Sequence, residues 1–146
     1  MRMKKILFLG LLTAGLTAGA YAQDEVKEKD VPAAIHSSFK TGFPNAKDVE
    51  WKLKDGKYKA KFEVNGLEHF AKYGADGKLL ARGMKIRTSE IPNAVTAAVK
   101  ETYAARMIDD VYRVDRNGAA FYLIKLKGDP ETKVLYTADG QVAKMD

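Results

Sequence analysis

His36 and His69 are the only imidazoles in the chain, and it contains no cysteine. Nucleophilic chemistry would therefore need a serine or threonine activated by one of these two rings, with an acid to orient it. Neither ring has that setting. His36 follows Ile35 on a helix with one apolar stripe and points off that stripe, toward solvent. His69 is in phase with Ala71 and Tyr73, which places it at a core edge. Two histidines without a neighbouring set of acids make no zinc site. The glycines stand singly at turns, so no phosphate-cradling loop is spelled out. Each acidic turn offers one Asp beside one Gly, short of the oxygen set that a calcium loop needs. The expectation is a protein that is not an enzyme and carries no cofactor and no metal.

The ends and the charge narrow the class. Arg2, Lys4 and Lys5 precede the apolar run "ILFLGLLTAGLTAGA", and "AYA" places small residues before a cut after Ala22. Residues 1–22 therefore read as a signal peptide, too short and too glycine-rich for a membrane span. The formal charge of +6 falls to +3 once those three cations are removed, and 124 of the 146 residues remain. A nucleic-acid partner loses its main support, and a periplasmic or secreted location follows. That length suits one domain with enough core to fold without disulfides. Residues 23–30, "QDEVKEKD", are charged with one apolar position and read as a flexible leader.

The elements that would position any site are written twice. "DVPAAIHSSFK" (30–40) aligns with "EIPNAVTAAVK" (90–100), and "YGADGKL" (73–79) aligns with "YTADGQV" (136–142). Ordered recurrence of two signals argues for a duplication, with repeat one at 31–87 and repeat two at 91–146. Val31, Ile35, Phe39 and Phe43 recur every four residues, as do Ile91, Val95, Val99 and Tyr103. That spacing predicts a helix with a narrow apolar stripe. Pro32 and Pro92 fit the first turn, and Pro44 ends the first helix. Beyond each helix the period becomes two: Val49, Trp51 and Leu53, then Tyr58, Ala60, Phe62 and Val64. Asp55-Gly56, Asn65-Gly66 and Asn117-Gly118 supply hairpin turns, and "ADG" closes the third turn of each copy. Each copy reads α-β-β-β-β. The fold class is α+β: two tandem repeats forming an antiparallel sheet with both helices on one face. Trp51, flanked in phase by Val49 and Leu53, belongs to the core.

The helix-start motif, the Trp- or Tyr-bearing strand and "Y-x-A-D-G-x-[LV]", duplicated behind a signal peptide, resemble the PepSY-like family. Its fold is similar to that of the beta-lactamase inhibitor protein, also a tandem α-β4 repeat. The resemblance implies an exported bacterial protein with a binding or inhibitory role through the sheet face, and it brings no catalytic residue.

The uncovered sheet face is where the copies differ. In repeat one it carries Glu50, Lys52, Lys57, Lys59, Lys61 and Glu63. In repeat two the phasing sends Tyr112, Val114, Tyr122, Ile124 and Leu126 inward. That leaves Val111, Phe121, Leu123 and Leu135 outward with Arg113 and Lys125. One half of the face is cationic and the other apolar, and a one-residue bulge would exchange the faces of any strand. The candidate binding residues are Phe121, Leu123, Val111, Leu135, Lys59 and Lys61. The expected partner is a protein or peptide of the cell envelope. The alternative is a structural protein that homodimerises through the same face.

Overall fold

The computed structural model describes residues 24–145. The signal peptide expected at 1–22 lies outside the described residues. The chain runs β1 (Asp24–Val26), a 3-10 turn (Glu28–Asp30), α1 (Ala33–Gly42), β2 (Lys47–Lys54), β3 (Lys57–Val64), β4 (Leu67–Tyr73) and β5 (Leu79–Ile86). A second 3-10 turn (Thr88–Glu90) leads into α2 (Asn93–Tyr103), β6 (Ile108–Arg116), β7 (Ala119–Leu126), β8 (Thr132–Thr137) and β9 (Val142–Ala143). The nine strands form one antiparallel sheet in sequence order. The architecture is α+β and mostly sheet.

Within the segment expected as a flexible leader, 23–30, the described residues 24–30 are ordered against the sheet. Asp24–Val26 pairs with β2, Val26 opposite Trp51, and Val26 packs against the core. One apolar residue is enough here because it extends an existing sheet edge and needs no core of its own. His36 is drawn in as well. Its Nε2 lies 2.6 Å from the Glu28 carbonyl, to which Nε2–H donates, and its ring meets the Trp51 edge at 5.9 Å. The expected solvent-facing histidine is therefore half-buried and ties the N-terminal turn to α1.

Each apolar stripe lands where its spacing predicts. Val31, Ile35, Phe39 and Phe43 join Trp51, Ala60, Phe62, Ala71 and Tyr73 in one cluster. Ile91, Val95 and Val99 join Val111, Ile124, Leu126, Val134 and Tyr136 in a second, with Tyr103 at its margin. Pro32 and Pro92 precede the first helical residue, and their carbonyls accept from Ile35 and His36 and from Val95 and Thr96.

The recurring "ADG" turn is explained by what it touches. Gly77 and Gly140 both have φ +89, and a Cβ would sit 2.9 Å from the Ala34 carbonyl oxygen and 2.6 Å from that of Ala94. Each turn is thus pressed against the first turn of its helix, and only glycine permits both the left-handed φ and the approach. The two recurring signals are the two sides of one contact. Ser38 adds a hydroxyl hydrogen bond to the Gly77 carbonyl at 2.7 Å.

Candidate binding trough

Residues opposite one another in register share a face. Along the face that neither helix cluster uses, Phe70 lies opposite Gly83, Gly83 opposite Val114, and Val114 opposite Phe121. A third apolar cluster sits here: Ala81, Tyr112, Val114 and Leu135, with Phe70, Phe121, Leu123 and Ala143 against it.

The candidate residues divide on this geometry. Phe121, Leu123 and Leu135 lie on this face as phased, and so do Lys59 and Lys61. Val111 does not: it is 1% exposed inside the α2 cluster. Tyr112 and Val114, expected inward, take its place in this third cluster, and Arg113 moves to the other side. The cause is a bulge. Ile108 pairs with Leu126 but Asp110 pairs with Lys125, so Asp109 is an extra residue. Ile108 and Val111, three apart, consequently share a face. The apolar half is also not an open patch. Tyr112, Val114 and Leu135 are 4–5% exposed, and Phe121 and Leu123 are half-buried.

The sheet is curled. Six inter-strand steps separate β2 from β8, about 29 Å if the sheet were flat at roughly 4.8 Å per step. Yet Lys52 and Lys54 of β2 and Lys133 of β8 line one cavity of about 400 Å³. Lys59, Lys61 and Lys125 complete its cationic wall, with Phe70, Tyr112 and Leu123 as the apolar part and Glu68 as the one carboxylate in the lining. Tyr112 donates its hydroxyl to Glu68 Oε2, and Lys61 Nζ stands 3.8 Å from the same oxygen. Burial, then the Glu68 bond, raises the Tyr112 hydroxyl well above its ordinary pKa.

The lysines face one another. Lys52 is directly opposite Lys59, Lys59 opposite Lys72, Lys54 opposite Lys57, and Lys125 opposite Lys133. Lys59 is half-buried and its ammonium lies 5.0 Å from the Phe70 ring centre. Burial first, then Lys133, Lys125, Lys72 and Lys52, brings its pKa down to about 8. Burial first, then Lys125, also lowers Lys133, with Glu131 opposing. Phe70 is fixed by Gly83, where a Cβ would fall 2.1 Å from the ring.

A second cavity of about 370 Å³ adjoins the first and shares Phe70 and Leu123 with it. Leu80, Ala81, Val114, Leu135 and Met145 make its apolar lining, and Lys57, Lys72, Lys78 and Arg116 are also part of it. The whole is a trough: a lysine basin and an apolar basin divided by Phe70 and Leu123. Sequence reading did not find Lys133, Phe70, Tyr112 or Glu68 as parts of this site. Alternation placed lysines on a face, but no local pattern says that β2–β3 will meet β7–β8.

The second histidine lies outside the trough. His69 stacks on Phe62 at 5.6 Å, a core-edge position as phased, and burial and Arg82 lower its pKa. Among the described residues no group of three or more His, Cys, Asp or Glu could hold a metal ion. None of their helices is long and apolar enough to cross a membrane.

The family described as "Putative beta-lactamase-inhibitor-like, PepSY-like" matches residues 20–81 and again 56–144. The chain belongs to the PepSY-like family. Solved structures agree on the fold. A DUF2874-family protein from Bacteroides ovatus is 26% identical with a TM-score of 0.64, over 79% of this chain and 86% of that one. A protein from Bacteroides eggerthii described as a putative periplasmic protein is 19% identical with a TM-score of 0.67, over 78% and 86%. A BLIP-like protein from Bacteroides fragilis is 21% identical with a TM-score of 0.59, over 77% and 84%. No match was found among the curated proteins.

Proposed function

We propose that this PepSY-like chain is an exported, non-catalytic binding module that engages a protein or peptide of the cell envelope through the helix-free face of its sheet. One observation carries the reading: lysines opposed directly across neighbouring strands inside a cavity. Each such like-charge pair costs roughly 0.2–1 kcal/mol, and burying Lys59 adds to that. Ordinary surface lysines avoid this arrangement, and a departure from sound local design is the mark of a functional site. The two joined cavities are of ligand-binding size.

The scaffold in this reading is a duplicated α-β4 unit with both helices on one face. Support comes from the matching helix stripes and from the Gly77–Ala34 and Gly140–Ala94 contacts. The signal-like N-terminus and the eggerthii relative favour the periplasm or the exterior. Homodimerisation through the same face is disfavoured, because it would bring two lysine basins together.

Capture from the native envelope fraction tests the reading. Wild type and a Lys100→Glu control on α2 retain the same partner, whereas Lys59→Glu/Lys125→Glu loses it. Equal capture by all three proteins would refute a role for this face. A tight dimer in light scattering that loosens on Phe121→Lys would favour self-association instead.

A further inference from the structure

We infer that the trough takes an acidic segment of a partner's chain, several carboxylates flanking one apolar side chain. The inference rests on the binding-module reading above and adds the chemistry of the occupant. Six ammonium groups line the lysine basin beside one carboxylate, Glu68, which Lys61 and Tyr112 already engage, while Glu131 outside the lining acts on Lys133. The adjoining basin adds Lys57 and Lys78 to its lining. Cations held this close repel one another. At Lys59 burial first, and then four neighbouring lysines, disfavour the ammonium. One negative charge would relieve only part of that repulsion, so the complementary occupant is polyanionic.

Polyanions differ in what else they carry. A sulfated glycan or a polyphosphate has nothing to place beside Leu80, Val114 and Leu135. A fatty acid has an apolar body but a single charge. A peptide with acidic residues on both sides of a leucine- or phenylalanine-sized side chain meets both demands. Its anchor would cross the divide at Phe70 and Leu123 and fill the apolar basin, while its carboxylates spread along the lysines. Charge of opposite sign then steers the encounter, and the anchor sets register.

Calorimetric titration of the purified protein tests this with a capped heptapeptide, Glu-Asp-Glu-Leu-Glu-Asp-Glu. The expected result is saturable one-to-one binding. Affinity falls at least tenfold when the central Leu becomes Ser, and at least tenfold again when all acids become their amides. It also falls at least tenfold between 50 and 300 mM salt, since charges a Debye length apart are screened. Lys125→Gln/Lys133→Gln, which removes an opposed pair and so leaves the fold intact, weakens the parent peptide at least fivefold. Leu123→Ala erases the difference between the Leu and Ser peptides. Equal binding of the Leu and Ser peptides overturns the inference, as does tighter binding of a heparin-type oligosaccharide or of decanoate. If no peptide binds while envelope capture still depends on Lys59 and Lys125, this inference falls and the binding-module reading stands. If capture ignores those lysines, both fall.

Discussion

The two helices close on cores of different make. Around α1 the core is aromatic: Phe39 meets Phe62 at 5.0 Å and Trp51 at 5.2 Å, Phe43 meets Phe62 at 4.7 Å, and Tyr73 lies behind them. Around α2 it is aliphatic, with Tyr136 the only ring among its fully buried members. Both halves nevertheless use the same four-residue stripe and the same glycine-to-helix contact. The architecture therefore demands a stripe, a turn glycine and a helix start, and it leaves the identity of the core residues free. On the other face the halves diverge in charge: β2 and β3 bring most of the lysines, β6 to β8 most of the apolar residues. Curling then folds that divergence into one trough.

Cutting into the two cores breaks or sharpens the comparison most strongly. Phe62→Ala is expected to cost about 3–5 kcal/mol and Ile124→Ala about 2–5 kcal/mol in urea denaturation. Phe62 should be the worse loss, because its ring contacts Phe39, Phe43 and His69. A milder effect at Phe62 would mean that the aromatic core repacks and is not the more interlocked of the two.

The turn glycines come next. Gly77→Ala and Gly140→Ala each force a Cβ against a helix carbonyl at φ +89, at 2.9 Å and 2.6 Å. Each is expected to cost about 1–3 kcal/mol, with Gly140→Ala the larger, read from the same urea midpoints. A neutral result in either half would remove that contact as the shared device.

The last effect, of similar size, has the opposite sign. Lys59 has a folded pKa of about 8 against an unfolded value of 10.5. Below pH 8 both states hold the proton and the folded state bears the full penalty. Between pH 8 and 10.5 the unfolded state binds more protons, so stability rises with pH. Lys59→Met is expected to stabilise the protein at pH 7 by roughly 1–3 kcal/mol after allowance for solvent screening and to abolish that rise. A stabilised variant that also loses its partner would show stability traded for binding.

Much of this was legible in sequence where the signal is local. The helix stripes, the left-handed Asp-Gly and Asn-Gly turns and the phases of β3, β4 and β7 rest on neighbours within a few residues. β6 failed because Val111 and Tyr112 are adjacent and apolar, so alternation fits either face, and the bulge at Asp109 chose the other one. Residues 24–26 escaped notice because a single valine on a sheet edge carries no period. The trough escaped because curl is a property of the whole sheet. Nothing near Lys59 in the sequence announces Lys133.

That proximity is the claim on which the site depends, and NMR titration of the Lys59 side-chain amine measures it directly. The account predicts a pKa of about 8 for Lys59 in the wild-type protein, rising measurably in Lys133→Met. A Lys59 that titrates near 10.5 and is indifferent to position 133 would mean that β3 and β8 do not share a cavity.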